Sequence, residues 1–234
     1  MDAKIIWDYL LQKTGNEYGT AAIMGNLMAE SSLNPTCATG KNKVTYYARA
    51  ADNGEVDFVN DGVAFGLVQW CYHTRKAGLL EYAKKTGRSV GDLQTQLEYL
   101  VKEMSESYKT VWKAVTEAKD IRTASDIVML KYEKPATTSE AAKKKRADYG
   151  KLFYIEYGIP DPETQQKTEN AVKTQQTGKR VRAKVNVNVR TGPGTMYPKK
   201  FQLAKGQELE LIEKDGNWYK VAMYVMADYA EVVS

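Results

Sequence analysis

Residues 20–35 read Thr-Ala-Ala-Ile-Met-Gly-Asn-Leu-Met-Ala-Glu-Ser-Ser-Leu-Asn-Pro, and this stretch decides how the first part of the chain is interpreted. Its apolar spacing predicts a helix, with Thr20 as the capping residue. Ile23, Leu27 and Glu30 stand at i, i+4 and i+7, so the carboxyl group of Glu30 shares the face that must be buried. An acid at the edge of an apolar surface is desolvated, which favours the protonated form that a general acid needs.

A second interpretation of Glu30 fits the same spacing. The side chain could be a solvated carboxylate in the last helical turn, bonded by Ser31 or Asn34. A negative charge near a helix C-terminus is unfavourable by only a few tenths of a kcal/mol at an exposed site, which is too little to decide. Spacing alone therefore leaves both interpretations open.

Composition excludes several classes of protein. The single histidine, His73, rules out zinc sites that need two imidazoles, and two cysteines cannot form a disulfide framework. No run of about 18 apolar residues predicts a membrane span. Residues 1–7 lack the basic stretch and apolar core of a secretory signal, so we expect synthesis in the cytoplasm. We expect neither a metal nor another cofactor.

The chain of 234 residues divides into two domains by its pattern. Apolar residues follow helical spacing in residues 1–159, whereas short alternating segments with Gly and Pro turns fill residues 180–234. The polar stretch between them, residues 160–179, is typical of a linker. Residues 179–234 carry ten basic and six acidic side chains, so they hold most of the net charge of +5. That charge suits nucleic acid, acidic lipid or an anionic wall polymer equally well.

The first domain is predicted to be mainly helical with a small hairpin or loop region. Its firmest helix is marked by an apolar stripe from Leu93 to Met104. A capping box over residues 123–126 begins another helix, which Pro135 ends, and Ser139 caps a last helix that runs through Tyr157. Glycines punctuate residues 41–68, which predicts loop or hairpin there.

The second domain is predicted to be a small all-β barrel. Residues 185–190 alternate between apolar and polar and predict a strand, and residues 209–212, 218–221 and 229–233 predict three more. Residues 215–217, Asp-Gly-Asn, predict a tight turn. The fold class is therefore α+β and multidomain.

Three short blocks in the first domain resemble known lysins. Residues 25–35 look like the catalytic-glutamate segment of phage lysozymes and tail-associated lysins. Residues 66–70, Gly-Leu-Val-Gln-Trp, are similar to a motif that lines the sugar groove in the lysozyme and lytic transglycosylase superfamily. Residues 132–135, Tyr-Glu-Lys-Pro, match a block of the phage tail lysozyme family. The resemblance covers about residues 3–158 and implies a lysozyme-like domain with Glu30 as its acid.

Glycoside cleavage normally uses a second carboxylate, which stabilises the transition state, attacks it or activates water. Asp52, Glu55, Asp57 and Asp61 are the candidates. We choose Asp61 because it precedes Gly66 by five residues and resembles an acidic residue before the same motif in similar lysins. Asp57 is the next choice, and solvated loop charges are the alternative for all four.

Four residues of the first domain are predicted to bind substrate. Gln69 and Asn26 offer amides that donate to and accept from sugar groups, and Tyr72 and Tyr46 offer rings on which a sugar stacks. Tyr47 and Trp70 offer further aromatic faces, although core packing explains such aromatics equally well.

The tail resembles the bacterial SH3-like (SH3b) wall-binding family. Residues 188–194, Asn-Val-Arg-Thr-Gly-Pro-Gly, and residues 218–221, Trp-Tyr-Lys-Val, carry the resemblance. The family's Gly-Tyr-Val turn lacks its glycine here, which puts that loop's geometry in doubt. The resemblance implies wall-binding contacts from residues that could equally be structural: Arg190, Tyr197, Trp218 and Tyr224.

Together the resemblances imply a phage endolysin that hydrolyses the linkage between N-acetylmuramic acid and N-acetylglucosamine in Gram-positive peptidoglycan. The glycan would bind the first domain and a wall peptide or cross-bridge the second, with no nucleic acid and no membrane insertion. Three alternatives remain: a lytic transglycosylase, a cysteine amidase or endopeptidase using Cys37 or Cys71 with His73, and a wall-binding protein without activity.

Overall fold

The computed structural model describes residues 3–40, 44–158, 179–190, 194, 199–221, 224–226 and 230–233. The chain forms two compact units, Met1–Ile159 and Pro160–Ser234. The predicted fold class is confirmed, since helices make up the first unit and short antiparallel strands the second. In the described part of the chain, no helix is long and apolar enough to span a membrane.

The described part of the first unit contains α-helices and one π-helical turn, Val128–Glu133, that continues the seventh helix. The α-helices are α1 Ala3–Thr14, α2 Glu17–Ser31, α3 Val44–Asp52, α4 His73–Thr86, α5 Leu93–Ser107, α6 Lys109–Thr116, α7 Ile121–Ile127 and α8 Glu140–Tyr157.

Helix α2 is the centre of the first unit. Its residues from Gly19 to Leu27 are buried without a break, so apolar contact surrounds the helix and does not stop at one face. Helix α8 packs against it closely because both carry glycine at the contact: a Cβ on Gly25 would lie 2.2 Å from the carbonyl oxygen of Arg146. A Cβ on Gly150 would lie 2.6 Å from the carbonyl oxygen of Ala21.

The helix ends confirm one predicted cap and correct two. Ser139 caps α8, as predicted, with its hydroxyl accepting from the amide of Ala142 at 3.3 Å. Helix α2 begins earlier than predicted because the Asn16 side chain, and not Thr20, accepts from the amide of Gly19. Helix α7 is likewise capped by Asp120, whose carboxylate accepts from the amide of Thr123, so residues 123–126 lie inside the helix.

Residues 44–68 are more helical than predicted. Helix α3 occupies the start of this region, and no strand forms over residues 55–59, where a hairpin was expected. The extended backbone is limited to two isolated bridges, in which Phe65 pairs with Ala38 on one side and with Trp70 on the other. The helix predicted from the Leu93 to Met104 stripe is confirmed as α5, whose Leu97, Leu100 and Met104 are fully buried.

The second unit contains two antiparallel sheets around a small core that includes Val181, Val189 and Val221. Their strand orders are β4-β1-β8 and β3-β2-β7-β6-β5. The strands are β1 Arg180–Ala183, β2 Val187–Arg190, β3 Lys199–Leu203, β4 Glu208–Glu210, β5 Glu213–Asp215, β6 Trp218–Lys220, β7 Tyr224–Met226 and β8 Ala230–Val233.

The predicted turn at residues 215–217 is confirmed. Asp215 pairs with Trp218, which leaves Gly216 and Asn217 as a two-residue hairpin loop with a φ of 57° at Gly216. Strand β2 starts two residues later than predicted, because the Asn186 side chain accepts from the amide of Lys205 and Val185 is exposed.

Candidate active site

Glu30 lies in the last turn of α2, and its side chain is only 18% exposed. The guanidinium of Arg146 on α8 donates to its Oε1 at 2.6 Å. The predicted alternative partners are engaged elsewhere: the hydroxyl of Ser31 donates to the carbonyl of Leu67 at 2.9 Å, and Asn34 Oδ1 accepts from Thr36. Glu30 is therefore a mostly buried, ion-paired carboxyl group rather than a solvated one.

Asn26 has a different place from the one predicted for a substrate-binding residue. Its side chain is fully buried one helical turn before Glu30. The Asn26 amide donates to Ser125 and to the carbonyl of Ala22, and its Oδ1 accepts from Arg146 at 3.2 Å. A buried amide with these bonds orients the arginine that holds Glu30, and it does not reach a sugar.

A second carboxyl group, Glu133, lies near Glu30. Burial raises the pKa of Glu133 well above its usual range, and the negative charge of Glu30 raises it further. Its Oε1 atom is buried without a hydrogen-bond partner. Glu133 ends the π-helical turn, and such turns occur frequently at functional sites.

A buried network connects the site to the rest of the first unit through Glu103. Arg75 donates to both carboxylate oxygens of Glu103, at 2.7 and 2.8 Å. The indole of Trp70 and the hydroxyl of Tyr132 also donate to Glu103, at 3.0 and 2.6 Å. The guanidinium of Arg75 lies 4.5 Å from the centre of the Tyr132 ring, within cation–π range.

These contacts join the three sequence blocks in a closed circuit. Ser31 in the first block bonds Leu67 in the second. Trp70 in the second block and Tyr132 in the third share Glu103, and the charge of Glu133 in the third acts on Glu30 in the first. Three segments far apart in sequence therefore surround one carboxyl group.

Asp61, the predicted second carboxylate, belongs to a separate polar cluster. The fully buried ammonium group of Lys76 donates to its Oδ1 at 2.6 Å, and the hydroxyl of Tyr47 donates to its Oδ2 at 2.5 Å. The amide of Val63 also donates to Oδ1. Burial alone would raise the pKa of Asp61, but the bonds from Lys76, Tyr47 and Val63 outweigh it and leave the pKa lowered. These contacts hold a loop and do not connect Asp61 with Glu30.

The other candidate substrate residues divide by exposure. The Gln69 side chain is half-buried and bonded to Cys37, Thr39 and Gly66, so it shapes the loop on which it lies. Tyr46 and Tyr72 are 60% and 64% exposed, which leaves their rings open to a ligand. Trp70 and Tyr47 are buried and belong to the core.

Unusual backbone conformations adjoin the same segments. Among the described residues, those other than glycine with positive φ are Ser32, Leu33, Gln69 and Lys134. Two of them follow Glu30 closely and one follows Glu133 directly. Backbone strain of this kind clusters at functional sites, where the surrounding structure holds it in place.

The cysteines do not resemble a nucleophile site. Cys37 and Cys71 are both free, and they flank Ala38 and Trp70, which pair on opposite sides of Phe65. Two strand spacings, about 9.5 Å, therefore separate them, which is too far for a disulfide. Cys71 donates to the carbonyl of Gly62, and the His73 ring packs on Tyr72. In the described part of the chain, no group of His, Cys, Asp and Glu side chains could hold a metal ion.

The predicted wall-binding residues lie on neighbouring strands of the second unit. Arg190 on β2 pairs in register with Tyr224 on β7, and Lys220 on β6 pairs with Tyr224 from the other side. Trp218, two residues before Lys220, is half-buried. Tyr197 and residues 191–193 of the predicted turn lie outside the described residues.

Sequence reasoning missed four residues of the site: Arg75, Glu103, Glu133 and Arg146. Glu133 stood within a block that carries the family resemblance, and this was the one available signal. Arg146 ends a Lys-Lys-Lys-Arg run that is typical of a solvated surface, and only helix packing brings it to Glu30.

Comparison with known proteins agrees with this architecture. Residues 1–157 match the phage tail lysozyme family, and residues 185–224 match the bacterial SH3 domain. The chain is also similar to Morphogenesis protein 1 of Bacillus phage B103, with 24% identity over 158 residues. That match covers 64% of this chain and 38% of the phage protein. The chain therefore belongs to the phage tail lysozyme family and carries a bacterial SH3 domain after its lysozyme domain.

Proposed function

We propose that this protein is a phage peptidoglycan hydrolase whose lysozyme domain cleaves the linkage between N-acetylmuramic acid and N-acetylglucosamine. The observation that carries the proposal is the convergence of three family blocks on Glu30, a carboxyl group held by Arg146 at 2.6 Å and still 18% exposed. Such a group is fixed in orientation by the protein and open to a ligand on one side. That is what protonation of a glycosidic oxygen requires.

Glu30 donates its proton to the oxygen that leaves, and positive charge develops at the anomeric carbon. Water then adds to that carbon and completes hydrolysis. The exposed rings of Tyr46 and Tyr72 offer apolar faces on which sugars stack. The SH3 domain binds the wall, which raises the local concentration of glycan for the lysozyme domain. The Gram-positive wall is the substrate we expect.

A lytic transglycosylase is the second candidate, and the contacts of Asp61 favour it. Both oxygens of Asp61 are bonded within their own cluster, so this carboxylate is poorly placed to assist Glu30. An enzyme with one working carboxyl group can use it first as acid and then as base, with a sugar hydroxyl in place of water. Mass spectrometry of the products separates the two: hydrolysis leaves a reducing end and transglycosylation an anhydro end.

The central experiment compares the lytic rate of Glu30→Gln with that of Glu117→Gln. Glu117 is an exposed glutamate at the end of α6 and serves as the matched control. We expect Glu30→Gln to lose about 10²–10⁴-fold in rate, which is the usual contribution of a general acid. Binding to purified walls should stay unchanged in both variants. Retained lysis by a folded Glu30→Gln protein would refute the assignment.

The cysteine alternative and the inactive alternative have their own tests. Cys71→Ala should lyse walls as the unchanged protein does, since its thiol donates only to a loop carbonyl. Zymography on Gram-positive walls tests for any activity at all. An absence of clearing by the intact chain would leave a wall-binding protein as the better description.

A further inference from the structure

Five charged side chains from five elements meet in the lysozyme domain, and we refer to them as the charge cluster. They are Glu30 on α2, Arg75 on α4, Glu103 on α5, Glu133 in the π-helical turn and Arg146 on α8. Two close ion pairs form within it, Arg146 with Glu30 at 2.6 Å and Arg75 with Glu103 at 2.7 Å. Glu133 is the member left without a pair.

The charge cluster holds three carboxyl groups and two guanidinium groups. With all five ionised its net charge is −1, and with one added proton it is neutral. Most of these side chains are buried: the side chains of Arg146 and Glu103 are 9% and 6% exposed. Because an uncompensated charge in such surroundings is costly, the neutral cluster with one retained proton is favoured.

Glu133 is where that proton resides when the site is at rest. Its Oε1 is buried with no hydrogen-bond partner, a poor environment for a carboxylate. Burial and the charge of Glu30 raise its pKa, Glu103 adds to this effect, and Arg75 and Arg146 only partly offset it. On its own element, Lys134 follows with an exposed side chain.

We propose that Glu133 is a positioning residue that keeps one proton on a coupled Glu30–Glu133 pair at neutral pH. The proposal rests on the proposed function, because it supplies the proton that Glu30 delivers. It explains how Glu30 can act as an acid although it is paired with Arg146. Two interacting carboxyl groups release their protons in steps that belong to the pair and not to either residue.

The proton balance closes over one turnover. As the glycosidic bond breaks, an O–H bond of the pair breaks and an O–H bond forms on the leaving sugar oxygen. The pair is then doubly negative, with Arg146 and Arg75 as the nearby cations. The water that attacks the anomeric carbon leaves its hydroxyl group on the sugar and returns its other proton to the pair. The charge cluster is neutral again.

The first experiment counts protons in the unaltered full chain and needs no activity. NMR titration of carboxyl-labelled glutamate should show one side chain that stays protonated at pH 7, and this resonance should be lost in Glu133→Gln. Its titration should shift in Glu30→Gln, because the two groups are coupled. Ionisation of every glutamate at pH 7 would overturn the proposal, whatever the enzyme cleaves.

The second experiment measures the pH dependence of lysis. Glu133→Gln keeps the shape of the protonated side chain but cannot ionise, so Glu30 must bind its proton alone beside Arg146. We expect the alkaline limb of the profile to move down by about one pH unit or more. Glu133→Asp should restore it in part, and Glu117→Gln should leave it in place.

These outcomes separate the two proposals. An unchanged alkaline limb in a folded Glu133→Gln protein contradicts the coupled pair and leaves the proposed function standing. Retained lysis in Glu30→Gln contradicts the proposed function, while the NMR titration still decides whether the pair shares a proton.

Discussion

The replacement Asp61→Asn tests whether this predicted carboxylate works in the fold or in the chemistry. Lys76, its partner at 2.6 Å, is fully buried, so removing the negative charge leaves an uncompensated ammonium group inside the protein. Breaking a buried pair in this way costs about 3–5 kcal/mol. Since the Asp61 side chain is 20% exposed and Lys76 keeps its bonds to Val63 and Tyr47, we expect the lower value, about 3 kcal/mol.

For a domain of this size that loss corresponds to a melting temperature lower by about 6–12 °C. Thermal unfolding followed by circular dichroism at pH 7 measures it. The double variant Asp61→Asn with Lys76→Met removes both charges and should recover most of the loss. Lytic activity in this double variant would show that Asp61 is structural, whereas a folded and inactive double variant would support the predicted catalytic role. An unchanged melting temperature in Asp61→Asn would refute the reasoning.

The same pair predicts a dependence on pH. Because the pKa of Asp61 is lowered in the folded state, its ionised form contributes stability that is fully present above the unfolded pKa of about 3.9. This contribution is lost as the pH falls through the folded pKa. The difference in melting temperature between the unchanged protein and Asp61→Asn should therefore shrink below about pH 4.

Four further changes have definite expected results. Gly25→Ala places a Cβ 2.2 Å from the carbonyl oxygen of Arg146, so thermal unfolding should show a loss of about 1–3 kcal/mol, together with weaker lysis. Glu133→Gln should raise the melting temperature at pH 7 and not at pH 4, because the raised pKa of Glu133 makes its ionisation destabilising to the fold. Tyr72→Ala should weaken binding of soluble glycan fragments and leave the melting temperature unchanged, since the ring is exposed. Residues 1–159 alone should cleave soluble glycan but sediment poorly with walls.

The sequence predicted much of the fold because the relevant signals are local. The stripe from Leu93 to Met104 produced α5, and Ser139 capped α8, since periodicity and capping depend on residues a few positions apart. The corrected caps have an equally local cause. Thr20 and Thr123 looked suitable, but Asn16 and Asp120 lie earlier, and a helix begins at the first side chain that satisfies its free amides.

The prediction of loop or hairpin over residues 41–68 was wrong in its first part for a physical reason. Glycines at 40, 54, 62 and 66 marked breaks correctly, since each of these residues has a positive φ. Helix α3 fits between the first two of them, and its Tyr47, Ala48 and Ala51 are buried against the core. Glycine spacing located the turns but carried no information on what lay between them.

The charge cluster could not be predicted from sequence because its members are ordinary when considered singly. Arg146 belongs to a basic run and Glu133 to an exposed-looking turn, and neither sequence position indicates burial. What brings Arg146 inside is the missing side chain at Gly25, which lets the α8 backbone approach α2 so closely that Arg146 reaches Glu30. The glycine in the family block is thus a determinant of the site's electrostatics, although it carries no charge. It follows that substitutions at this helix contact should change the pH dependence of lysis as well as stability, because they move the cation that sets how firmly the pair holds its proton.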